Sequence, residues 1–215
     1  SVVRALQKAK VDFSILGQRE TCTGDPARRA GNEYLFEMLA SKNSETFKSL
    51  GVVKVVTHCP HCFNSLKNEY PEFGEKLDVI HHSNLLARLL SEGKLPVEKK
   101  KVGTVVFHDS CYLGRHNGNY DTPREILDQS VEAGKFQEVE NNKERGTCCG
   151  AGGARFLLEE HGSRVSHMRA DELMESRPDT IAVSCPFCIL MLEDALKAKN
   201  LSNEVKVRDI SEMLG

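Results

Sequence analysis

Two cysteine-bearing stretches of this chain occur twice, and that repetition limits the fold more than any other feature. Arg19-Glu20-Thr21-Cys22-Thr23-Gly24 reads against Arg145-Gly146-Thr147-Cys148-Cys149-Gly150, and Cys59-Pro60-His61-Cys62 reads against Cys185-Pro186-Phe187-Cys188. Cys22 to Cys59 and Cys148 to Cys185 are both 37 residues apart, and the copies are offset by 126 in each case. A repeat of that size is one supersecondary unit used twice. It divides the chain into a first unit over 1–98 and a second over 99–215, with the polar, Pro-containing run 93–101 as linker.

Apolar patterning gives both units the same order of elements. In the second, Lys101–Phe107 is β-rich and leads into the loop of Cys111. Thr122-Pro123-Arg124-Glu125 reads as a helix start with Thr as N-cap, and Gly134 is placed to end that helix. Phe136–Val139 is a further strand, and a helical stretch follows through Leu157, Leu158, Val165, Met168 and Leu173. Thr180–Val183 is a buried strand running to Cys185, Ile189, Leu192 and Leu196 recur at helical spacing, and Val205-Lys206-Val207 starts a last strand. The first unit shows a helix with Val2, Val3 and Leu6, a strand Val11–Ile15, the Cys22 loop, and a helix with Tyr34, Leu35, Met38 and Leu39. Val52–Val56 then runs into Cys59, and a helix with Phe63, Leu66 and Tyr70 follows. Strands alternating with helices predict an α/β fold of two tandem units, each a small parallel sheet flanked by helices.

The first unit is incomplete. The repeat offset puts the counterpart of Cys111 and its strand ahead of Ser1, so the first unit is expected to be truncated at its N-terminus and the chain to be a fragment of a longer protein. Composition excludes several classes. With 40% apolar and 28% charged residues and a formal net charge of −2, the chain lacks the basic excess of a nucleic-acid binder. No apolar run approaches the ~18 residues of a membrane span. Eight cysteines in a chain of 215 without a secretory signal point to thiols in a reducing, cytoplasmic compartment, not to a disulfide framework.

Cys148-Cys149 lies in a run of glycines, Gly146-Thr147-Cys148-Cys149-Gly150-Ala151-Gly152-Gly153-Ala154-Arg155. Adjacent side chains diverge, so such a pair suits two atoms of a cluster better than one ion. Gly150, Gly152 and Gly153 can take positive φ and let backbone N–H groups approach a bulky anionic group. In each Cys-x-x-Cys, Pro60 or Pro186 takes a helix's first position, and the helix N-terminus favours thiolates, which iron–sulfur clusters require. Zinc would be saturated by four ligands and leaves the Cys-Cys pair without a role. A thiol–disulfide oxidoreductase fits Cys-Pro-His-Cys but not the remote Cys22 and Cys148. A single buried Cys is a small hydrophobe; five converging ones are not explained by packing.

Cys111, Cys148-Cys149 and Cys185-x-x-Cys188, with His108-Asp109-Ser110-Cys111-Tyr112-Leu113-Gly114-Arg115, resemble the cysteine-rich CCG domain of heterodisulfide reductase B and D subunits and glycolate oxidase iron–sulfur subunits. Glu20–Arg29 and Thr57–Asn64 look most like a membrane-linked branch of that family. The resemblance implies a [4Fe-4S] cluster, cubane or non-cubane, held by Cys111, Cys148, Cys149, Cys185 and Cys188. In the first unit Thr23 stands where the second Cys of the pair belongs, leaving Cys22, Cys59 and Cys62 to hold a labile second cluster or nothing. It further implies an electron relay from a flavoprotein or ferredoxin-like partner to quinone or another acceptor, with no membrane span in this chain. Disulfide reduction at the cluster is the alternative, and a thiol–disulfide oxidoreductase or zinc-bound structural module the third.

No catalytic residue is fixed by this reading. His61 and His108 are candidate proton carriers, and His58, His81 and His82 candidate donors to a cluster sulfide, against the plainer role of a buried structural histidine. Arg28, Arg29 and Arg155 either neutralise cluster charge or solvate the surface. Lys99-Lys100-Lys101 reads as solvated linker.

Overall fold

The computed structural model describes residues 1–74, 76–99, 101–158 and 162–214. The first half carries α1 (Val2–Lys8), α2 (Asp25–Arg29), α3 (Glu33–Ser49), β1 (Lys54–Thr57), α4 (Pro60–Asn64), β2 (Asp78–His81) and α5 (His82–Ser91). The second carries β3 (Val105–Phe107), α6 (Asp121–Ser130), β4 (Phe136–Gln137), α7 (Val165–Met174), β5 (Thr180–Val183), α8 (Pro186–Ala198) and β6 (Lys206–Asp209). β1 and β2 pair in parallel, and β4-β3-β5-β6 form a four-stranded parallel sheet. The fold is α/β, with the repeated sheet-and-helix units that the sequence suggested.

Register repeats along with sequence. Thr57 stands opposite His81 at the end of β1–β2, and Val183 opposite Asp209 at the end of β5–β6. β1 and β2 are thus the counterparts of β5 and β6. Every residue of β5 is buried because the strand is central, with β3 on one side and β6 on the other. β1 pairs only with β2 among the described residues, and its Val56 stays 41% exposed.

That difference also corrects one expectation. Val11–Ile15 is irregular, not a strand. Its counterpart β4 is ordered by pairing with β3, whereas Val11–Ile15 pairs with no strand among the described residues. Val11 and Phe13 pack on the core instead, and Ile15 faces solvent.

Other corrections have local causes. On α3 the buried face is Phe36, Ala40, Asn43 and Phe47, while Tyr34, Leu35 and Met38 are exposed. Asn43 turns inward because its side chain donates to Cys22 O at 3.0 Å and to the Tyr70 hydroxyl at 2.9 Å. Thr122 lies inside α6, and its hydroxyl bonds the Ser83 and Asn119 side chains in place of capping. α6 ends at Ser130, before Gly134, whose φ of +77° serves the turn into β4. Leu157 and Leu158 precede α7 and are exposed. The helix through Phe63, Leu66 and Tyr70 is α4 followed by a π-helical turn over Ser65–Glu69 and a 3-10 turn over Tyr70–Glu72.

The two halves share a core. Leu85, Leu86, Leu89 and Leu90 of α5 pack with Ile126 and Leu127 of α6 and with Met213 and Leu214 of the C-terminal 3-10 turn. Leu95, in the run read as linker, is 2% exposed and belongs to that core, with Val97 and Val102 packed against it. The run between the halves is therefore packed as well as connecting; Lys100 lies outside the described residues. Among the described residues no helix is long and apolar enough to cross a membrane.

Candidate metal centre

Each Cys-x-x-Cys sits where its strand gives way to a helix. β1 ends two residues before Cys59 and β5 two residues before Cys185. Each of these cysteines is the extended N-cap, with Pro60 or Pro186 first in the helix. Proline costs nothing there, since its missing N–H would have no intrahelical partner. The fold then brings the two motifs close together, near enough for the Cys59 and Cys185 thiols to shift one another's ionisation.

All five cysteines of the second unit converge. Neighbouring thiols shift one another's ionisation from Cys111 through Cys148, Cys149 and Cys188 to Cys185, and 3.4 Å separates the Cys188 and Cys149 sulfurs. Cys149, Cys185 and Cys188 are buried, and all eight cysteines of the chain are free thiols. Gly150, at φ +92°, turns its N–H onto Cys148 Sγ at 3.3 Å. Hydrogen bonds from Cys111 and Cys149 draw the Cys148 thiol far down against the effect of burial. Burial pushes Cys185 up, but bonds from Cys188 and Cys59 outweigh it and hold Cys185 well below the usual thiol range. Bonding to Cys149 and Cys185 drives Cys188 up.

Among the described residues of the second unit, several buried polar atoms have no protein partner. His108 Nε2, Ser110 Oγ, Ser166 Oγ, Ser184 Oγ and Arg169 Nη2 have no hydrogen-bond partner. Ser110 and Ser184 directly precede Cys111 and Cys185, and the Ser166 backbone N would lie 3.3 Å from a Cβ on Gly150. An unmet buried donor costs about 1–3 kcal/mol. Five close thiols, with a His108 ring nitrogen within 4.8 Å of the Cys149 and Cys188 sulfurs and its Nε2 unmet, fit an anionic iron–sulfide group: it would take the thiolates as ligands and its sulfides would accept from such donors. Gly152 and Gly153, expected beside the same group, border open space where a Cβ would meet nothing within 4 Å.

The loop before Cys111 is anchored by ions. Arg124 donates to both Asp109 oxygens at 2.8 and 2.9 Å, and the Lys143 N–H donates to Asp109 at 2.8 Å. His108 is fully buried; desolvation, then the Arg169 charge, push it down to about 3. That keeps the ring neutral, unlike a proton carrier working near pH 7.

The first unit reproduces half of this geometry. The Gly24 N–H donates to Cys22 Sγ at 3.4 Å, as Gly150 does to Cys148. Thr23 Oγ1 donates to Cys62 Sγ at 3.4 Å from the place of the missing cysteine. Cys59 and Cys62 adjoin, while Cys22 is exposed. His61 spans the units: Nδ1 meets Asp25 Oδ2 at 2.9 Å, and the ring stacks on Tyr112 at 3.9 Å. Arg28 and Arg29 are engaged by carboxylates, Arg28 with Glu33, Glu69 and Glu72, Arg29 with Asp25 and Glu69. His81 and His82 lie in a buried network in which His82 Nε2 meets Asp209 Oδ1 at 3.1 Å.

Sequence reasoning missed Arg124, Arg169, Asn43 and Tyr112 as parts of this site. Arg124 and Arg169 are single cations within helices, with no local pattern to mark them as buried.

Comparison with known proteins agrees with the geometry. The family described as Cysteine-rich domain (CCG) matches residues 1–67 and 105–193. The chain is 45% identical over its whole length to an "EtfAB:quinone oxidoreductase" of Syntrophomonas wolfei, covering 31% of that protein. It is 44% identical over its whole length to a "Probable iron-sulfur-binding oxidoreductase FadF" of Bacillus subtilis, covering 30% of it. Over 98% of its length it is 33% identical to a polypeptide of the dihydromethanophenazine:CoB--CoM heterodisulfide reductase of Methanosarcina barkeri, covering 53% of that polypeptide. The chain thus spans between about a third and about half the length of these relatives. With the family model matching in both units, the chain belongs to the CCG cysteine-rich domain family, as part of a sequence shared with proteins named as oxidoreductases.

Proposed function

We propose that this chain is an electron-transfer module built of two units, 1–98 and 99–215. Its second unit would hold one [4Fe-4S] cluster through Cys111, Cys148, Cys149, Cys185 and Cys188. The observation that carries the reading is the convergence of five thiols beside His108, whose buried Nε2 has no protein partner. Such a cluster supplies one-electron redox chemistry. The protein's part is to exclude water through the burial of Cys149, Cys185 and Cys188, to fix the thiolates at strand ends, and to offer N–H and O–H donors to sulfur. Gly150 lets the Cys-Cys loop turn against α7.

In this reading the donor is a flavoprotein or ferredoxin-like partner and the chain lies on the cytoplasmic side; a quinone or another acceptor takes the electrons, quinone being the one in the name of the 45%-identical relative. The first unit, with Thr23 for a cysteine and Cys22 exposed, keeps no resident cluster in this reading.

Iron and acid-labile sulfide per chain, measured after anaerobic reconstitution, test the proposal. About four of each are expected, with an EPR signal on oxidation or reduction, and both are lost in Cys149→Ser. Reduction by a flavoprotein or ferredoxin and reoxidation by a soluble quinone analogue should follow. Zinc or free redox-active thiols in place of iron would refute the reading, and roughly eight irons would refute the empty first unit.

A further inference from the structure

The histidine before the Cys111 loop has a fixed orientation of its proton. Arg169 Nε donates to His108 Nδ1 at 3.1 Å. A guanidinium can only donate, so Nδ1 must present its lone pair, and the ring proton is carried by Nε2. Nε2 is buried without a protein partner. A ring nitrogen of His108 and the sulfurs of Cys149 and Cys188 all lie within 4.8 Å of one another. That grouping invites a metal-ligand role for the histidine, but a protonated Nε2 has no lone pair to give a metal.

Arg169 is itself held in place. Its side chain is 0% exposed; Nη1 donates to Asn141 O at 3.0 Å and to Glu172 Oε2 at 2.7 Å. Glu172 Oε1 in turn accepts from the Thr147 hydroxyl at 2.8 Å, and Thr147 adjoins Cys148. One connected set of bonds thus runs from the Cys-Cys loop through α7 to the end of β3. It leaves the His108 Nε2–H and Arg169 Nη2 without a protein acceptor, and of the two His108 is the group placed within 4.8 Å of the Cys149 and Cys188 sulfurs.

We propose that His108 is the hydrogen-bond donor of the second-unit centre and not one of its ligands, presenting Nε2–H to sulfur, with Arg169 as the positioning residue that fixes this tautomer. The inference rests on the iron–sulfur reading above. A donor to sulfur stabilises the reduced form more than the oxidised one, because the added electron places more charge on the sulfurs. Removing it makes the centre harder to reduce without removing iron.

The test uses reconstituted wild type, His108→Leu and His108→Gln, with iron per chain, an EPR-monitored redox titration, and hyperfine spectroscopy on protein carrying 15N-imidazole histidine. Iron should be unchanged in all three. The midpoint potential should move negative in His108→Leu and return towards wild type in His108→Gln, whose amide N–H can stand in for Nε2–H. Labelled wild type should show a weak 15N coupling and an exchangeable deuteron in D2O, and the 15N coupling should vanish in His108→Gln. This readout stands even if the Leu variant fails to fold. A strong 15N coupling, or iron lost from both variants, would make His108 a ligand and overturn the proposal. An unshifted potential with no coupling would overturn it while leaving the iron–sulfur reading intact. Wild type that takes up no iron would overturn both.

Discussion

Arg124→Met removes the cation beneath the Cys111 loop while keeping most of the volume over Phe107, whose ring the guanidinium faces at 5.3 Å. Asp109, 7% exposed, then keeps one of three donors, the Lys143 N–H, and loses both bonds from Arg124. Breaking a buried ion pair by deleting one partner costs about 3–5 kcal/mol, because the other charge stays buried. The second carboxylate on Arg124, Glu138, has a side chain 40% exposed, so its loss adds under about 1 kcal/mol. The expected loss is therefore about 3–5 kcal/mol, a large part of the ~5–15 kcal/mol that holds a typical domain together. Urea unfolding of the metal-free protein, followed by far-UV circular dichroism under reducing conditions, measures it. Arg124→Met with Asp109→Asn should recover over about 1 kcal/mol of that loss, since a neutral amide is cheaper to bury than a lone carboxylate. Iron uptake should fall in the single variant, because Asp109 sets the approach to Cys111. A loss under about 1 kcal/mol, or a double variant no more stable than Arg124→Met, would refute the argument.

Gly150→Ala meets both a φ of +92° and contacts of 3.3 Å to Val165 and Ser166, so it should cost about 1–3 kcal/mol and lower iron binding. Gly152→Ala, with nothing within 4 Å, should change urea stability by less than about 0.5 kcal/mol; equal effects at the two positions would contradict the geometry. His81 is pushed down to about 2 by burial, then by the neighbouring His82. Its folded pKa lies below the unfolded value, so its contribution is complete above about pH 6.5 and is lost as pH falls, by about 2 kcal/mol at pH 5. His81→Asn keeps an acceptor for the Ser83 N–H at the start of α5. It should flatten the fall in stability between pH 6.5 and 5; an unchanged slope would show that His81 is not the group responsible.

What could be read from the sequence was local. Thr180–Val183 is a run of apolar and β-branched residues ended by Cys-Pro, and it forms the strand expected. Ile189, Leu192 and Leu196 lie on α8 as their spacing implied. α3 misled because its inward face includes a polar residue, Asn43, whose reason for burial is the backbone of Cys22 and the hydroxyl of Tyr70. Val11–Ile15 misled because a strand is a property of a pair, and periodicity reports only one partner.

The sequence by itself determined the repeated unit: where each cysteine stands, that Pro60 and Pro186 begin helices, and that Gly150 can turn the Cys-Cys loop. These follow from bonded geometry and short-range spacing. Only the tertiary structure decided that Cys59 meets Cys185 across the units, that Arg124 neutralises Asp109, and that Arg169, 61 residues from His108, fixes the proton on its ring. Those contacts join groups far apart in the chain, and their partners are chosen by how buried helices and sheets pack, which no local pattern of residues encodes.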